Sequence, residues 1–338
     1  MIRVFIVAIL LFGLFGVKAQ ELSWQEYKNK YFRNDSFIID PYNNNRVTSE
    51  SQGYGMILAV MYNDKDTFYK LWKWTKVNML REDYLFSWLY NNAIVDRNNA
   101  TDGDLLIAYA LRLAYLKWKN EEYLEYYNKI KNSIKRLIVI VLDEKERKNI
   151  LLLPGIYGFS NEKYDIQIFP SYYIPFILKE FKDDRLFKLS LDYLLNNIIT
   201  LSPLTNTVRF NLIEKKLSLN SEINMDVYRL IPYFLLSNYD VKILRNSFKT
   251  IDEFFKKEGY IPLTFKLNEQ NQTKQESPFC VYRWFYILYN DDKYFKKYEE
   301  LKNIDRNNYF CDTFELFLNS GVERWIKKFY YHSYFPSL

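Results

Sequence analysis

Thr48-Ser49-Glu50-Ser51-Gln52-Gly53-Tyr54-Gly55-Met56 leads directly into the apolar segment Ile57-Leu58-Ala59-Val60-Met61. A Ser or Thr followed by an acid predicts a helix start, so Glu50 is expected in the first turn of a helix, where the helix dipole favours a carboxylate. Gly53 and Gly55 would each cost a helix interior about 1 kcal/mol. Glycines at these positions indicate that something approaches the backbone closely. Glu50 is therefore either a capping acid or a functional carboxylate.

Two further acids stand at predicted junctions between a loop and a helix. One stretch is Ala100-Thr101-Asp102-Gly103-Asp104-Leu105, and the other is Asn224-Met225-Asp226-Val227-Tyr228-Arg229. Each has a simple structural interpretation, because Asp is a frequent N-cap and first-turn residue. Arg229 would then form an ion pair with Asp226 within the helix, worth a few tenths of a kcal/mol.

Apolar residues recur at steps of three or four along most of the chain, which predicts about a dozen helices. After the helix that follows Glu50, the predicted helices cover residues 22–32, 65–79, 105–117, 121–140, 174–181, 185–196, 227–236, 241–254, 281–289, 294–301, 310–318 and 322–331. Few segments have the pattern of strands, although residues 205–221 are expected to form a hairpin. The longest predicted loops are 87–103, 154–175, 202–226 and 258–278, where functional sites tend to lie. Since no long linker interrupts the pattern, residues 20–338 are predicted to form one all-α domain.

Residues 1–19 have the pattern of a secretory signal peptide. Arg3 precedes an apolar run from Val4 to Val17, and Val17-Lys18-Ala19 resembles a small-x-small cleavage site. An uncleaved anchor is the alternative, but no later stretch is long and uncharged enough to span a bilayer. Cleavage would change the formal charge from +6 to +4, through loss of Arg3 and Lys18. We expect a secreted or periplasmic monomer with no stable membrane span.

The composition restricts the chemistry. Scattered Lys and Arg argue against a nucleic-acid-binding protein. His332 is the single histidine, which excludes multi-histidine zinc sites, and excludes a Ser-His-Asp triad unless His332 is the base. Cys280 and Cys311 form either a disulfide or two buried thiols. Many of the 31 Tyr, 26 Phe and 7 Trp residues must be core, while exposed aromatic rings suit sugar stacking. Asp and Glu therefore remain for acid and base catalysis, and we expect neither a metal nor an organic cofactor.

Together the acidic stretches resemble glycoside hydrolase family 8. The first stretch is similar to that family's Ser-Glu-Gly-Gln-Gly-Tyr-Gly-Met, whose Glu is the general acid. The second is similar to the family's second motif, and the third to Asp-Ala-x-Arg, whose Asp is the general base in the endoglucanase branch. Pro170-Ser171-Tyr172 matches a fourth motif, and Trp88 stands where the family has a sugar-stacking Trp. The resemblance covers nearly the whole mature chain and implies an (α/α)6 barrel of twelve helices, with long loops that form a substrate cleft.

The resemblance also implies an inverting endo-acting hydrolase of β-1,4-linked glucan. Glu50 would be the general acid, kept protonated by a partly desolvated pocket. Asp226, ionised beside Arg229, would be the general base, and Asp102 would hold hydroxyl groups of the distorted sugar. The residues assigned to substrate binding are Trp88, Tyr172, Arg229, Tyr54, Gln52 and Asp104. Among these, Tyr54, Gln52 and Asp104 are expected to support the acid and the helix junction more than to touch the polymer.

The sequence departs from the family pattern at four positions and leaves alternatives open. Ser51 replaces the usual Gly, Met225 stands where Tyr is common, and Val227-Tyr228 replaces small residues after the base. Relatives also act on mixed-linkage glucan, xylan and chitosan. One variant of the prediction is a periplasmic cellulase that serves cellulose or exopolysaccharide secretion. A hypothesis of a different class is a non-catalytic helical barrel that keeps the cleft and binds a polysaccharide or a partner, against which the three intact acids argue.

Overall fold

The computed structural model describes residues 22–304 and 308–319. The predicted signal peptide, the predicted helix at 322–331 and His332 lie outside these ranges. The α-helices are α1 Trp24–Tyr31, α2 Ser49–Met61, α3 Lys65–Asn78, α4 Thr101–Trp118, α5 Glu121–Ile134, α6 Pro175–Glu180, α7 Arg185–Asn196, α8 Met225–Tyr228, α9 Leu230–Leu236, α10 Lys249–Glu258, α11 Phe279–Tyr289, α12 Asp292–Ile304 and α13 Tyr309–Asn319. Short 3-10 helices cover Lys135–Leu137, Pro170–Tyr172, Ile198–Thr200 and Val241–Leu244.

Six helices form a closed inner ring. Going round the ring, α2 contacts α4, α4 contacts α6, α6 contacts α9, α9 contacts α11, α11 contacts α13, and α13 returns to α2. Five outer helices each contact one inner helix: α1 contacts α13, α3 contacts α2, α5 contacts α4, α7 contacts α6, and α12 contacts α11. Outer helix α10 packs its Phe255 against Tyr282 of α11. The arrangement is an (α/α)6 barrel, which confirms the predicted fold class.

Inner and outer helices differ in burial, as their sequences require. In α2 every residue from Ser51 to Val60 is buried, so this helix has no polar stripe. In α5 only one face is buried, formed by Tyr123, Tyr127, Ile130, Ser133 and Ile134. Within residues 22–304 and 308–319, no helix combines the length and the apolarity that a bilayer crossing requires.

Short antiparallel strands lie in the segments that connect the helices. They are β1 Phe32–Arg33, β2 Phe37–Ile38, β3 Val47–Thr48, β4 Ser87–Tyr90, β5 Ile94–Asn99, β6 Ile138–Leu142, β7 Lys148–Leu152, β8 Asp165–Ile168, β9 Val208–Asn211, β10 Lys216–Leu219, β11 Glu222–Asn224 and β12 Thr264–Lys266. They form the sheets β1-β2, β3-β4-β5, β6-β7, β10-β9-β8 and β11-β12. The predicted hairpin within 205–221 is confirmed as β9 and β10, whereas the expectation of few strands is wrong.

Three predicted helices are interrupted. The prediction over 121–140 is wrong beyond Ile134, where the β-branched run Ile138-Val139-Ile140-Val141 pairs as β6 instead. The prediction over 241–254 is broken at Ser247, whose hydroxyl donates to the Ile199 carbonyl and whose own carbonyl accepts from Leu204. The prediction over 227–236 is divided at Arg229, which separates α8 from α9.

Cys280 and Cys311 form a disulfide that joins α11 to α13. This result settles the two alternatives that the sequence left open. The bond closes the inner ring covalently between its last two helices, next to the site described below, because α13 contributes Phe310 and Phe314 to the surroundings of that site.

Two glycines let α2 and α4 approach each other closely. A Cβ atom on Gly53 would lie 2.5 Å from Leu106 Cβ. A Cβ atom on Gly103 would lie 2.2 Å from Ser49 Oγ, 2.9 Å from Ser49 Cβ and 2.9 Å from the backbone nitrogen of Glu50. Each distance is too short for a real contact, so these glycines set how close the first turns of the two helices stand.

Gly103→Ala is expected to lower the free energy of unfolding by about 1–3 kcal/mol, because overpacking forces the two helix starts apart. Urea unfolding measures the loss. The double variant Gly103→Ala/Ser49→Gly should recover part of it, since Ser49 supplies two of the three close atoms. The buried Ser49 hydroxyl also has no hydrogen-bond partner within residues 22–304 and 308–319. Ser49→Gly alone is the control, and wild-type stability in Gly103→Ala would contradict the packing argument.

Candidate active site

The site lies where three helix starts meet. Glu50 is the second residue of α2, Asp102 the second of α4 and Asp226 the second of α8. A first-turn carboxylate is favoured at each place by the helix dipole. The first-turn interpretation of these acids is confirmed, whereas an N-cap role is wrong, because the N-cap residues are Thr48, Ala100 and Asn224.

The start of α2 is fixed by a reciprocal cap. The Thr48 hydroxyl accepts the Ser51 N–H at 3.0 Å, and the Ser51 hydroxyl accepts the Thr48 N–H at 3.1 Å. This is a capping box in which Ser51 takes the role usually played by Glu or Gln. The departure from the family's Gly at this position thus stabilises the turn that carries Glu50.

Arg229 connects two of the acids. Its guanidinium donates from Nη1 to Glu50 Oε1, and from Nη2 to Asp102 Oδ2 at 3.1 Å and to Ser171 Oγ at 3.3 Å. The Arg229 side chain is 4% exposed, and those of Glu50 and Asp102 are 23% and 3% exposed. One buried cation is therefore shared by two carboxylates, of which Glu50 is the more open to solvent.

The predicted ion pair between Arg229 and the carboxylate of Asp226 is wrong. Arg229 Nε instead donates to the backbone carbonyl oxygen of Asp226 at 3.1 Å. The terminal nitrogens of the guanidinium bond instead to Glu50 and Asp102, which attract them from α2 and α4. Asp226 is exposed, and Asn224 caps its helix by accepting the Asp226 N–H at 2.9 Å.

Aromatic rings enclose the guanidinium. Its central carbon lies 5.6 Å from the ring centre of Tyr172 and 6.0 Å from that of Phe310. Burial and the charge of Asp102 hold the pKa of the Tyr172 phenol well above its ordinary value, while Arg229 opposes them. The charges of Glu50 and Asp226 also raise the pKa of this phenol, so Tyr172 lies within electrostatic reach of all three acids.

Asp102 is the acid whose ionisation is most affected by the site. Burial raises the pKa of its carboxyl to about 7, the charge of Glu50 adds to the rise, and Arg229 opposes it. The Gly103 N–H donates to Asp102 Oδ1 at 2.8 Å. The charge of Asp226 contributes a further rise in the Asp102 pKa, so Asp226 lies within electrostatic reach of Asp102.

Gln52 and Asp104 lie beneath the site. Both are fully buried. Gln52 Oε1 accepts the Ile38 N–H at 3.0 Å and its Nε2 donates to the Ile38 carbonyl at 2.8 Å, which ties β2 to α2. Asp104 accepts from the Phe86 N–H and from Asn99 Nδ2, both at 2.8 Å. Their assignment to substrate contact is contradicted by this complete burial, whereas a supporting role agrees with it.

Tyr54 is also fully buried, directly behind Glu50. Its hydroxyl donates to Glu50 Oε1 at 3.3 Å and forms a hydrogen bond with the hydroxyl of Tyr233. Trp88 differs from these three residues because it is partly exposed on β4. Its Nε1 donates to Asp96 Oδ2 at 2.7 Å, which fixes the ring at the edge of the β4-β5 hairpin.

Three residues of the site were not assigned from the sequence. Ser171 contacts Arg229 and stands in the quoted Pro-Ser-Tyr motif, so the signal was present. Tyr233 follows Arg229 by four residues, which places both on one helix face, and this spacing could have revealed it. Phe310 stands 81 positions after Arg229 in a different helix, and no local pattern connects them. Among the described residues, no group of three His, Cys, Asp or Glu side chains is arranged to hold a metal ion.

The buried acids predict a specific pH dependence of stability. The pKa of Asp102 is about 7 and burial raises that of Asp104 to about 8, against 3.8 for an unperturbed Asp. Between about pH 4 and pH 8 the folded state therefore binds more protons than the unfolded state, so the free energy of unfolding should fall by a few kcal/mol as pH rises. Urea unfolding at several pH values measures this slope. Asp104→Asn should flatten it, and a stability that rises over this range would contradict the assignment.

Comparison with known proteins identifies the family. The sequence model described as Glycosyl hydrolases family 8 matches residues 1–190, more than half of the chain. The chain belongs to glycoside hydrolase family 8. The match includes Glu50, Asp102 and Tyr172, whereas Asp226 and Arg229 lie beyond it.

Relatives of this family 8 chain have been described in several bacteria. An endoglucanase of Cellulomonas uda is 36% identical over 159 residues, which are 46% of this chain and 43% of that relative. A probable endoglucanase of Novacetimonas hansenii is 32% identical over 163 residues, which are 47% of this chain and 46% of that relative. The aligned segments thus span less than half of these two relatives. The solved structure of an endo-β-1,4-glucanase from Acetobacter xylinum has a TM-score of 0.75 at 22% identity, covers 88% of this chain and 95% of its own, and supports the fold alone.

Proposed function

We propose that this family 8 protein is an endo-acting glycoside hydrolase that cleaves β-1,4-linked glucan with inversion at the anomeric carbon. The observation that carries the proposal is the arrangement of a partly exposed Glu50, held by a buried Arg229, in one site with an exposed Asp226. An inverting glycosidase needs one carboxyl group as acid and another as base. The endoglucanase relatives support the β-1,4-glucan substrate class.

In the proposed reaction Glu50 is the general acid. It gives its proton to the glycosidic oxygen as the bond from that oxygen to the anomeric carbon breaks. Asp226 accepts a proton from a water molecule whose oxygen forms the new bond to the anomeric carbon from the opposite face. Glu50 is left as a carboxylate, which the Arg229 guanidinium and the Tyr54 hydroxyl stabilise. Water then returns a proton to Glu50 and removes one from Asp226.

The remaining residues would hold the polymer and the water. Asp102 would accept hydrogen bonds from hydroxyl groups of the sugar beside the cleaved bond. Tyr172, which lies within electrostatic reach of Asp102 and Asp226, would orient the attacking water. Trp88 would stack on a sugar ring, with its orientation fixed by Asp96. This division leaves Gln52 and Asp104 as buried supports of the two helix starts.

We further propose that residues 1–19 direct export and that the mature chain acts as a monomer on soluble or nascent glucan, outside the cell or in the periplasm. A periplasmic cellulase that accompanies polysaccharide secretion is a narrower form of the same proposal. Mixed-linkage glucan, xylan and chitosan remain substrates to be tested beside cellulose.

The test is hydrolysis of carboxymethyl cellulose, mixed-linkage glucan, xylan and chitosan by the exported chain. We expect new reducing ends and a rapid fall in viscosity with a β-1,4-glucan, and proton NMR should show that the first product is the α-anomer. Glu50→Gln and Asp226→Asn are the matched controls, because each replaces one oxygen by nitrogen at nearly constant shape. A folded wild-type protein that binds glucan without cleaving any of the four polymers would support the polysaccharide-binding alternative instead. A β-anomer as first product would contradict inversion.

A further inference from the structure

Tyr233 is connected to Glu50 through one intervening phenol, that of Tyr54. The Tyr233 hydroxyl forms a hydrogen bond with the Tyr54 hydroxyl, and Tyr54 donates to Glu50 Oε1 at 3.3 Å. A phenol has one proton to donate. Because Tyr54 uses its proton for Glu50, the bond between the two phenols must use the proton of Tyr233. The hydrogen bonds therefore run in one direction, from Tyr233 through Tyr54 to the carboxylate.

Two helices present these groups at the same spacing. Tyr54 follows Glu50 by four residues on α2, and Tyr233 follows Arg229 by four residues on α9. Residues four apart share a helix face. Glu50 and Tyr54 on α2 thus face Arg229, immediately before α9, and Tyr233, on α9. Both residues that contact Glu50 are therefore connected to α9, since Arg229 precedes this helix and Tyr54 is hydrogen-bonded to its Tyr233.

The phenols are enclosed by aromatic rings. Tyr54 and Tyr233 are fully buried. The ring of Phe314 lies 5.6 Å from that of Tyr54 and 5.7 Å from that of Tyr233, measured between centroids, and Phe176 lies 5.6 Å from Tyr233. Hydrogen bonds in a buried site of low dielectric constant are stronger than in water, and consecutive hydrogen bonds strengthen one another cooperatively.

We propose that Tyr233 is a positioning residue for the general acid, which acts through Tyr54 to orient Glu50 and to stabilise its carboxylate as the glycosidic proton leaves. This inference rests on the proposed function, since it assigns Tyr233 a part in the same reaction. The fixed phenol dipoles point at the oxygen where negative charge develops, and such preorganised donors lower the energy of a transition state.

Other charged and titratable groups act on Glu50 as well, from each surrounding element. Those with a described contact or charge interaction are Arg229 before α9, Asp102 on α4, Tyr172 on the 3-10 helix Pro170–Tyr172, and Tyr309 on α13. None of these groups depends on the Tyr233 hydroxyl for its own described hydrogen bonds. Removing that hydroxyl therefore changes the donor chain and leaves the other charges in place.

The experiment compares Tyr233→Phe with Tyr193→Phe. Tyr193 is buried, and its hydroxyl makes one hydrogen bond, to Asn149 Oδ1 at 2.9 Å, between α7 and β7. For Tyr233→Phe we expect kcat to fall about 5- to 10-fold with KM nearly unchanged, which corresponds to one lost hydrogen bond. The alkaline limb of the pH profile of kcat/KM should move to higher pH, because Tyr54 without the Tyr233 donor is a weaker hydrogen-bond donor to the Glu50 carboxylate. Tyr193→Phe should change neither quantity.

A double-variant cycle tests the direction of the chain. If Tyr233 acts through Tyr54, then Tyr54→Phe/Tyr233→Phe should be no slower than Tyr54→Phe alone. Additive losses, or a Tyr233→Phe variant with wild-type kcat and pH profile, would overturn the proposal.

A second measurement does not depend on activity. The protein is labelled with carbon-13 at its Glu side chains, and the Glu50 carboxyl signal is identified as the one that is absent from the spectrum of Glu50→Gln. In Tyr233→Phe this signal should titrate at higher pH than in the wild type. If the wild-type chain cleaves no glycan, the proposed function fails, and this titration still decides whether Tyr233 acts on Glu50. An unchanged titration would overturn the donor chain whether or not the protein is active.

Discussion

Glu50→Gln is expected to lower kcat on carboxymethyl cellulose by between about 10²- and 10⁴-fold, the range that general acid catalysis contributes. The amide keeps the shape of the carboxyl group but has no acidic proton for the glycosidic oxygen. Steady-state reducing-sugar assays measure the loss. Since Gln can still accept from Arg229 and Tyr54, circular dichroism and urea unfolding should show a folded variant, which separates lost chemistry from lost structure.

A change of leaving group distinguishes the acid from the base. In an aryl cellobioside the nitrophenolate leaving group departs without needing a proton. On that substrate Glu50→Gln should therefore regain most of the kcat that it loses on the polymer. Asp226→Asn should remain inactive on it, because the attacking water still needs a base. If instead Asp226→Asn recovers and Glu50→Gln does not, the two roles are reversed.

Asp102→Asn completes this set of variants. Asp102 is nearly enclosed and accepts from Arg229, whereas Asp226 is exposed and not paired with it. We therefore expect Asp102→Asn to raise KM and lower kcat on both polymer and aryl substrate, without the selective recovery that identifies an acid. Full activity in Asp102→Asn would contradict its role in holding the sugar.

The barrel was predictable because its helices carry their own signals. In α3, α4, α7 and α11 the apolar residues recur at helical spacing and the predicted ranges agree closely with the observed ones. The strands were harder to predict, because two- to six-residue strands carry too few alternations for a periodic signal. Only the hairpin of β9 and β10 was expected from the sequence, through the alternation of Val208 and Phe210 on β9.

The acids of the site were also predictable, but their partners were not. Glu50 and Asp226 each follow by two residues a cap residue that local sequence rules recognise, Thr48 and Asn224, whereas the helix of Asp102 begins after Ala100, which such rules do not recognise. Arg229 could be paired from the sequence only with its neighbour Asp226, since rules for helix pairs extend over three or four residues. Its real partners are 179 and 127 positions away and depend on how α2, α4 and α9 meet in the ring. Long-range charge pairing therefore required the structure.

Arg229→Met is expected to have the largest effect on stability. The variant keeps an apolar stem of similar length but leaves Glu50 and Asp102 without their shared cation. Removing one partner of a buried ion pair costs about 3–5 kcal/mol, because a charge remains without compensation. Urea unfolding at pH 8 measures the loss, and the polymer assay should show activity lost together with it.

The pH dependence of that loss identifies its cause. With Arg229 removed, the pKa of Asp102, already about 7, should rise further, since the guanidinium opposes the effect of burial more than the Gly103 N–H does. At pH 5 the variant then holds a neutral Asp102, so its deficit relative to wild type should be smaller than at pH 8. A deficit equal at both pH values would indicate lost packing against Tyr172 and Phe310 instead of uncompensated charge. Adding Glu50→Gln and Asp102→Asn to Arg229→Met should restore stability at pH 8, because no uncompensated carboxylate remains. The triple variant should still be inactive, because the carboxylates that make Arg229 necessary for stability are the ones that the proposed reaction uses.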